Sequence, residues 1–283
     1  MKLKMSYYPI TSTPLKKTAS YTEFEPCTAL KPYIRCFWGN TKIISGNAEN
    51  TLVTPDTCMD IIFTANYTDN QLTSNFCGIN DRTFTAESIS GNTVFSFGIR
   101  FYAWGAAMFS EDSLKNTRNA FLDAQEYFPN LKKIIEPLLF SVSDIREIIP
   151  VAEQALLKSF NEKHRNNTVI EAIGTMLKNN GGLRIGELSK ELHISERQLE
   201  RLFWEYIGCS AKSLSSMIRY QKLWYEIMFN RNFDIFNSVM KYGYSDQSHL
   251  MNDFKKYHSM NIKEARVHAL KNVGNLQDFS LLI

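Results

Sequence analysis

Two short stretches of this chain concentrate side chains that can hydrogen-bond along a polar surface, and they stand 51 residues apart. The first offers Arg197, Glu200, Arg201 and Trp204; the second offers Ser248, Met251, Asn252 and Lys255 at the corresponding positions. Steps of three and four residues put each set on one face of a helix. A guanidinium, a carboxylate and an amide displayed together can pair with base edges, and a lysine supplies a point charge for a phosphate. Two short helices presented in tandem can read two neighbouring stretches of a DNA groove.

The elements that must position these side chains repeat with them. Leu199, Phe203 and Tyr206 recur as Leu250, Phe254 and Tyr257, and Lys212 recurs as Lys263. In the first copy, residues 186–192 read as a short helix with Ile185, Leu188 and Leu192 on one side. His193 and Ile194 make a turn, and Ser195 begins a second helix. Ser195 and Gln198 have the spacing of a capping box, in which each side chain satisfies the other's free backbone N–H. Such a cap contributes about 1 kcal/mol, enough to fix where the helix starts. In the second copy Ile235, Val239 and Tyr242 form the buried stripe, Gly243 supplies the turn, and Ser245 or Asp246 caps. Each pair is a helix-turn-helix. Residues 212–229 read as one helix holding the two units apart; reading helices on one face of B-DNA need a separation of about 34 Å. The buried positions repeat while the exposed ones do not. The scaffold is duplicated and the reading surface has diverged, which predicts an asymmetric DNA site with the stronger base contacts from the first unit.

The rest of the chain divides at its prolines. All eight lie at or before Pro150, so the C-terminal part is free to be helical throughout. The first third alternates like sheet: Phe95, Phe97, Ile99 and Phe101 point one way, and Ser96, Gly98, Arg100 and Tyr102 the other. Residues 33–38, 52–54 and 60–64 also read as strands, separated by Gly, Asn and Asp clusters. The expected fold is α+β with two domains: an N-terminal small β-barrel or sandwich with following helices, then an all-α tandem helix-turn-helix domain. The boundaries read as a flexible N-terminus over 1–20, a β-rich domain over 21–105, and a helical subdomain and candidate dimer surface over 106–162. A linker over 163–167, a DNA-binding domain over 168–270 and a tail over 271–283 complete the chain. Pro150 is expected in the first turn of a helix.

The net charge is +3, and its location matters more than its size. Residues 168–270 hold 14 Lys and Arg against 11 Asp and Glu, whereas residues 1–167 balance at 17 each. The excess therefore sits with the repeat, although a solvated helical surface would also account for it. Five scattered cysteines, none at C-x-x-C spacing, point to reduced thiols in a cytoplasm. No apolar run suits a bilayer span and no signal peptide is evident. With no histidine before His164, a histidine-based metal site in the β domain is excluded. No phosphate loop or hydrolase elbow is present, so neither a cofactor nor an enzymatic activity is expected. Asp56, Asp60 and Arg100 are the ionisable residues placed to face a barrel interior; a turn aspartate and an ion pair are the bland reading, an acid–base pair the sharp one. A ligand pocket would draw on Trp38, Phe63, Arg100 and Tyr102, but alternation leaves open which face lies inside. His249 is placed on the inner side of its helix as a packing or hydrogen-bonding residue, and Trp204 is an aromatic that the connecting helix could cover.

Residues 243–256 closely resemble the second helix-turn-helix signature of AraC/XylS-type bacterial transcription regulators, and residues 183–202 resemble the first. The resemblance covers residues 168–270. Residue by residue it implies base-edge contacts from Arg197, Glu200 and Arg201 in unit one and from Gln247, Ser248, Met251 and Asn252 in unit two. Lys255 and Lys256 are then the phosphate contacts. The chain departs from the pattern at Asn252, where arginine is usual, at Ser238, where an apolar residue is usual, and after each reading helix, at residues 208–211 and 259–262. These departures imply weaker or altered contacts by unit two. Residues 31–38, 55–63 and 97–101 resemble an N-terminal domain found on some such regulators, which implies a cupin-like β-rich sensory domain. The implied partners are double-stranded DNA, RNA polymerase, a small effector and a second copy of the chain, with no membrane. The alternative is a ligand-binding protein or enzyme whose C-terminal repeat is a docking scaffold.

Overall fold

The computed structural model describes residues 7–11, 21–43, 50–87 and 91–271. The strands are β1 (Thr22–Phe24), β2 (Ile34–Ile43), β3 (Asn50–Val53), β4 (Cys58–Asn66), β5 (Gln71–Cys77), β6 (Phe84–Glu87), β7 (Thr93–Tyr102) and β8 (Phe121–Asp123). Helices α1 (Ala124–Tyr127), α2 (Pro129–Ile135) and α3 (Ile145–Ser159) follow. The C-terminal part holds α4 (Asn167–Lys178), α5 (Ile185–Glu191), α6 (Glu196–Tyr206), α7 (Ala211–Phe229), α8 (Ile235–Lys241), α9 (Gln247–His258) and α10 (Ile262–Lys271).

Six strands form one antiparallel sheet in the order β1-β2-β7-β4-β5-β8, and β3 pairs with β6 separately. The sheet's edges, β1 and β8, do not pair with each other, so among the described residues no closed barrel forms. With three residues each, these strands offer little edge to close on. The expected boundary at residue 105 is also corrected: β8 joins the sheet from residues 121–123, past a stretch of turns.

The alternation read in β7 is the organising fact of this domain. On one face Phe37, Ile61, Phe63, Phe76, Phe95, Phe97, Ile99 and Phe101 are buried in a core shared with Phe128, Leu131, Ile135, Ile145 and Ile148. Gly39 lets α3 lie on β2; a Cβ there would stand 2.5 Å from Ile145 Cγ2. On the other face one cross-strand row runs Cys36, Arg100, Asp60, Cys77, and the next contains Glu23, Trp38 and Gly98. Apolar helices cover the first face because only it offers an unbroken apolar area.

Helix α3 is a single helix through Pro150, with Asp144 capping its start through Arg146 N–H. The proline thus lies inside the helix, not in its first turn; it removes one N–H from a ladder already nucleated by residues 145–149. The N-terminal segment is corrected as well. Tyr7, Pro9, Ile10 and Thr11 are buried, and residues 1–6 and 12–20 of the expected flexible stretch lie outside the described residues, as does the tail beyond residue 271.

Candidate nucleic-acid interface

Unit one is α5, a turn and α6. His193 takes the left-handed conformation (φ 53°) that reverses the chain, and Ser195 Oγ accepts the Gln198 N–H at 3.2 Å. Leu199, Leu202 and Phe203 face the core. Unit two is α8, a turn and α9. Gly243 (φ 69°) occupies the place of His193, and Asp246, not Ser245, caps α9 by accepting the His249 N–H at 2.7 Å. The two turns differ by one residue: α5 maps onto α8 at an offset of 50, and α6 onto α9 at 51. Leu250, Phe254, Tyr257 and His258 are the buried set of α9.

Helix α7 carries both units. Arg219 on α7 meets Asp253 of α9 at 2.9 Å, and Tyr244 OH donates to the same carboxylate at 3.1 Å. Lys222 Nζ donates to Leu177 O and Asn180 Oδ1, closing the end of α4. Tyr220 OH lies 2.8 Å from His258 Nδ1 in a ring cluster with Trp224 and Phe254. Helix α9 and the end of α4 are therefore fixed to one rod from several directions.

Most of the positions expected to contact DNA are solvent-exposed. Arg197, Arg201, Ser248, Met251, Asn252, Lys255 and Lys256 are exposed, and Gln247 is half-buried with its Nε2 at 3.8 Å from Met251 Sδ. Glu200 stands apart. It is half-buried, accepts a bond from the Ala211 N–H at the start of α7, and burial together with Glu196 raises its pKa. His249 is exposed, not inward; its ring meets Tyr244 edge-on at 5.2 Å and its Nδ1 lies 3.1 Å from Ser245 Oγ.

Trp204 packs on the N-terminal domain. The Arg118 guanidinium lies 5.6 Å over its ring. This contact belongs to a larger junction. Leu114 N–H donates to Glu205 O at 3.0 Å, at the end of α6, and Thr83 OH donates to Tyr257 O at 2.8 Å, at the end of α9. Ser213 OH reaches Asp81 at 3.3 Å, and the buried Gln221 amide bonds to Ile10 and Pro55. Apart from Trp204 and Tyr257, none of these residues was singled out from sequence. The one available signal was Gln221, a polar residue at the apolar phase of α7.

The expected pocket set divides. Phe63 is fully buried on the helix-covered face, with its ring stacked on Phe97 at 6.2 Å. Trp38, Arg100 and Tyr102 are on the other face. There Trp38 Nε1 donates to Asp60 Oδ1 at 2.9 Å, and Arg100 binds the same carboxylate at 2.9 Å. Arg35 pairs with Glu23 at 3.0 Å, and Tyr21 OH donates to Glu23 at 2.8 Å. Asp60 thus serves an ion pair. Asp56 accepts the Cys58 N–H at 2.9 Å as a turn aspartate, and burial pushes its pKa up to about 6 against the opposing pull of Arg100. The arrangement is a compact network of ion pairs under tyrosine and tryptophan rings. Among the described residues no His, Cys, Asp and Glu cluster is placed to hold a metal, and no helix is long and apolar enough to cross a membrane.

Residues 188–267 match a helix-turn-helix domain family, and residues 22–123 match a domain of unknown function, DUF6597. No curated protein matches significantly. Among solved structures, a transcriptional regulator with an AraC-type DNA-binding domain from Chromobacterium violaceum is 21% identical over 36% of this chain and 92% of its own, with a TM-score of 0.33. ToxT from Vibrio cholerae is 13% identical over 84% of this chain and 99% of its own, with a TM-score of 0.42. The xylose-binding transcription activator XylR is 20% identical over 37% of this chain and 27% of its own, with a TM-score of 0.33.

Proposed function

We propose that this transcription regulator, with its AraC-type helix-turn-helix domain, reads DNA asymmetrically through α6 and α9 and is controlled from its β-rich domain. The observation that carries the reading is the pair of capped helices with exposed polar faces, both fixed on α7. Arg197 and Arg201 suit guanine, Asn252 suits adenine, Met251 offers an apolar surface to a thymine methyl, and Lys255 and Lys256 suit phosphates. Glu200, held at the start of α7, is better suited to positioning than to reading.

The polar face of the sheet, with Trp38, Arg100 and Tyr102, is the candidate effector site. A ligand there acts on the DNA-binding helices through the bonded junction at Asp81, Thr83 and Leu114. The buried side of α3 is taken up by its own sheet, which leaves the exposed Leu157 and its charged neighbours for a second copy. RNA polymerase is the downstream partner of this reading, and the cytoplasm, where the five cysteines stay as free thiols, is its place.

Substituting Arg197→Ala and Arg201→Ala together tests it. The double variant is expected to melt as the wild type does and to lose selection of a preferred duplex from a random-sequence library. Unchanged selection sinks the reading. The docking-scaffold alternative predicts no steep salt dependence of duplex binding, whereas phosphate contacts predict a slope growing by about 0.9 per contact.

A further inference from the structure

We infer that the N-terminal domain carries a phosphate contact of its own, at Lys115, beside the first reading helix. This rests on α6 being a DNA-reading helix. Arg197 and Arg201 are one helical step apart on the exposed face of α6, and the same stripe continues to Trp204 and Glu205. Arg201, Trp204 and Glu205 form one wall of an open groove of about 480 Å³, and Ser113 and Lys115 form the other. The reading surface of α6 is thus continued across the domain boundary by the segment between β7 and β8.

That segment is held firmly. Leu114 is fully buried, its N–H donates to Glu205 O at 3.0 Å, and the Ser113 hydroxyl donates to the same oxygen at 3.3 Å. Thr117 is also fully buried, and its hydroxyl returns to Leu114 O at 2.8 Å. Arg118 is fixed between Trp204 and Asp81, 3.4 Å from the latter. Gly208, just past α6, completes the fit: a Cβ there would stand 2.7 Å from both Leu114 O and Thr117 Oγ1. Lys115 lies among these anchors, yet it is exposed and its ammonium makes no ion pair or hydrogen bond among the described residues. The groove's charges are Lys115 and Arg201 against Glu205 alone, which is itself 3.8 Å from Arg201.

A duplex that takes α6 into its major groove presents sugar–phosphate strands on both sides of the helix, about 12 Å apart. The strand on the Arg201 and Trp204 side meets the wall that carries Lys115. A free ammonium on a rigid support gains a phosphate and releases a counterion there. The exposed Asn116 beside it adds a neutral donor.

The test uses the full chain and the duplex that the wild type selects from a random-sequence library, with affinity measured from about 50 to 200 mM salt. Lys115→Ala is expected to lower the slope of log affinity against log salt by about 0.9, so that its deficit at the lower salt shrinks about 3.5-fold at the higher. Base preference stays as in the wild type, and Lys115→Arg restores the slope. An unchanged slope, or tighter binding by Lys115→Ala as expected of a segment that obstructs DNA, overturns the inference. Arg197→Ala with Arg201→Ala separates the two readings. If that variant still selects the duplex, the assignment of α6 fails; if it does not and Lys115→Ala is silent, only the Lys115 contact fails.

Discussion

The side-chain amide of Gln221 and the backbone of Ile10 exchange two hydrogen bonds: Ile10 N–H donates to Oε1 at 2.8 Å, and Nε2 donates to Ile10 O at 2.9 Å. Nε2 also donates to Pro55 O at 2.5 Å, and the residue is 1% exposed. One amide therefore satisfies three buried backbone groups of the N-terminal domain from the middle of the helix that carries both reading units. Leaving a buried polar group unpaired costs about 1–3 kcal/mol. Gln221→Leu is expected to lower the chemical-denaturation midpoint markedly and to make residues 7–11 an early site of limited proteolysis. Gln221→Glu adds a sign. Its carboxylate would face two carbonyl oxygens, which raises its folded pKa, so that stability held in acid is lost as pH rises. A Glu variant no more stable at pH 5 than at pH 7, relative to wild type, contradicts the geometry.

The last-turn carbonyls of the two reading helices, Glu205 O and Tyr257 O, both accept hydrogen bonds from the β-rich domain. The domain thus grips both units at equivalent ends and constrains how they splay on α7. Thr83→Val keeps the shape and removes the bond to Tyr257, at a cost of about 0.5–1.5 kcal/mol. The sharper consequence is in DNA geometry. On duplexes whose two contact regions are moved apart by one base pair, the wild type is expected to discriminate strongly and the variant less so. Equal discrimination by both proteins would show that α7 alone sets the spacing.

Two groups, His258 buried and Asp56 half-buried, give the stability opposite pH dependences. His258 is packed against Trp224 and Phe254, and burial with the nearby His268 pushes its pKa down to about 4. A folded value below the unfolded one means that its contribution is full above about pH 6.5 and is lost as pH falls toward 4. The shift corresponds to about 3 kcal/mol. Asp56, raised to about 6 chiefly by burial, contributes below about pH 4 and loses that contribution as pH rises through 6. Denaturation midpoints between pH 7 and 4 separate them. His258→Gln is expected to fall less on acidification than the wild type, and Asp56→Asn to fall more. Parallel curves for all three proteins would remove both assignments.

The helix-turn-helix units were legible because their determinants are local. A cap such as Ser195, a turn residue such as Gly243 and a stripe such as Leu250, Phe254 and Tyr257 act within a few residues of chain. The two faces of β7 were legible for the same reason. The pairing that decides what each face meets is not local. Phe63 and Trp38 part company only once β4 and β2 are both registered on β7. Strand β8 has three residues, too few to show a period, and joins β5 from more than forty residues away. The partners of Trp204 and Gln221 are set by how the domains dock. Nothing within either helix specifies Arg118 or Ile10.

Asn252 offers the most direct probe of the asymmetry between units. It is exposed on α9, one helical step ahead of the exposed Lys256, and occupies the position that corresponds to Arg201 on α6. An amide gives a short, neutral pair of contacts, whereas a guanidinium adds charge and a longer reach to the same groove. Asn252→Arg is expected to strengthen duplex binding at low salt and to steepen the salt slope by about 0.9, since one more phosphate or base-edge charge is engaged. The preferred base opposite that position should move from adenine toward guanine, worth about 1–3 kcal/mol of discrimination. The reciprocal change, Arg201→Asn, should cost more affinity than Asn252→Ala, because the proposed reading gives unit one the stronger contacts. Library selection with each variant reads both quantities at once. If Asn252→Ala weakens binding more than Arg201→Asn does, the ranking of the two units is reversed and α9 is the principal reader.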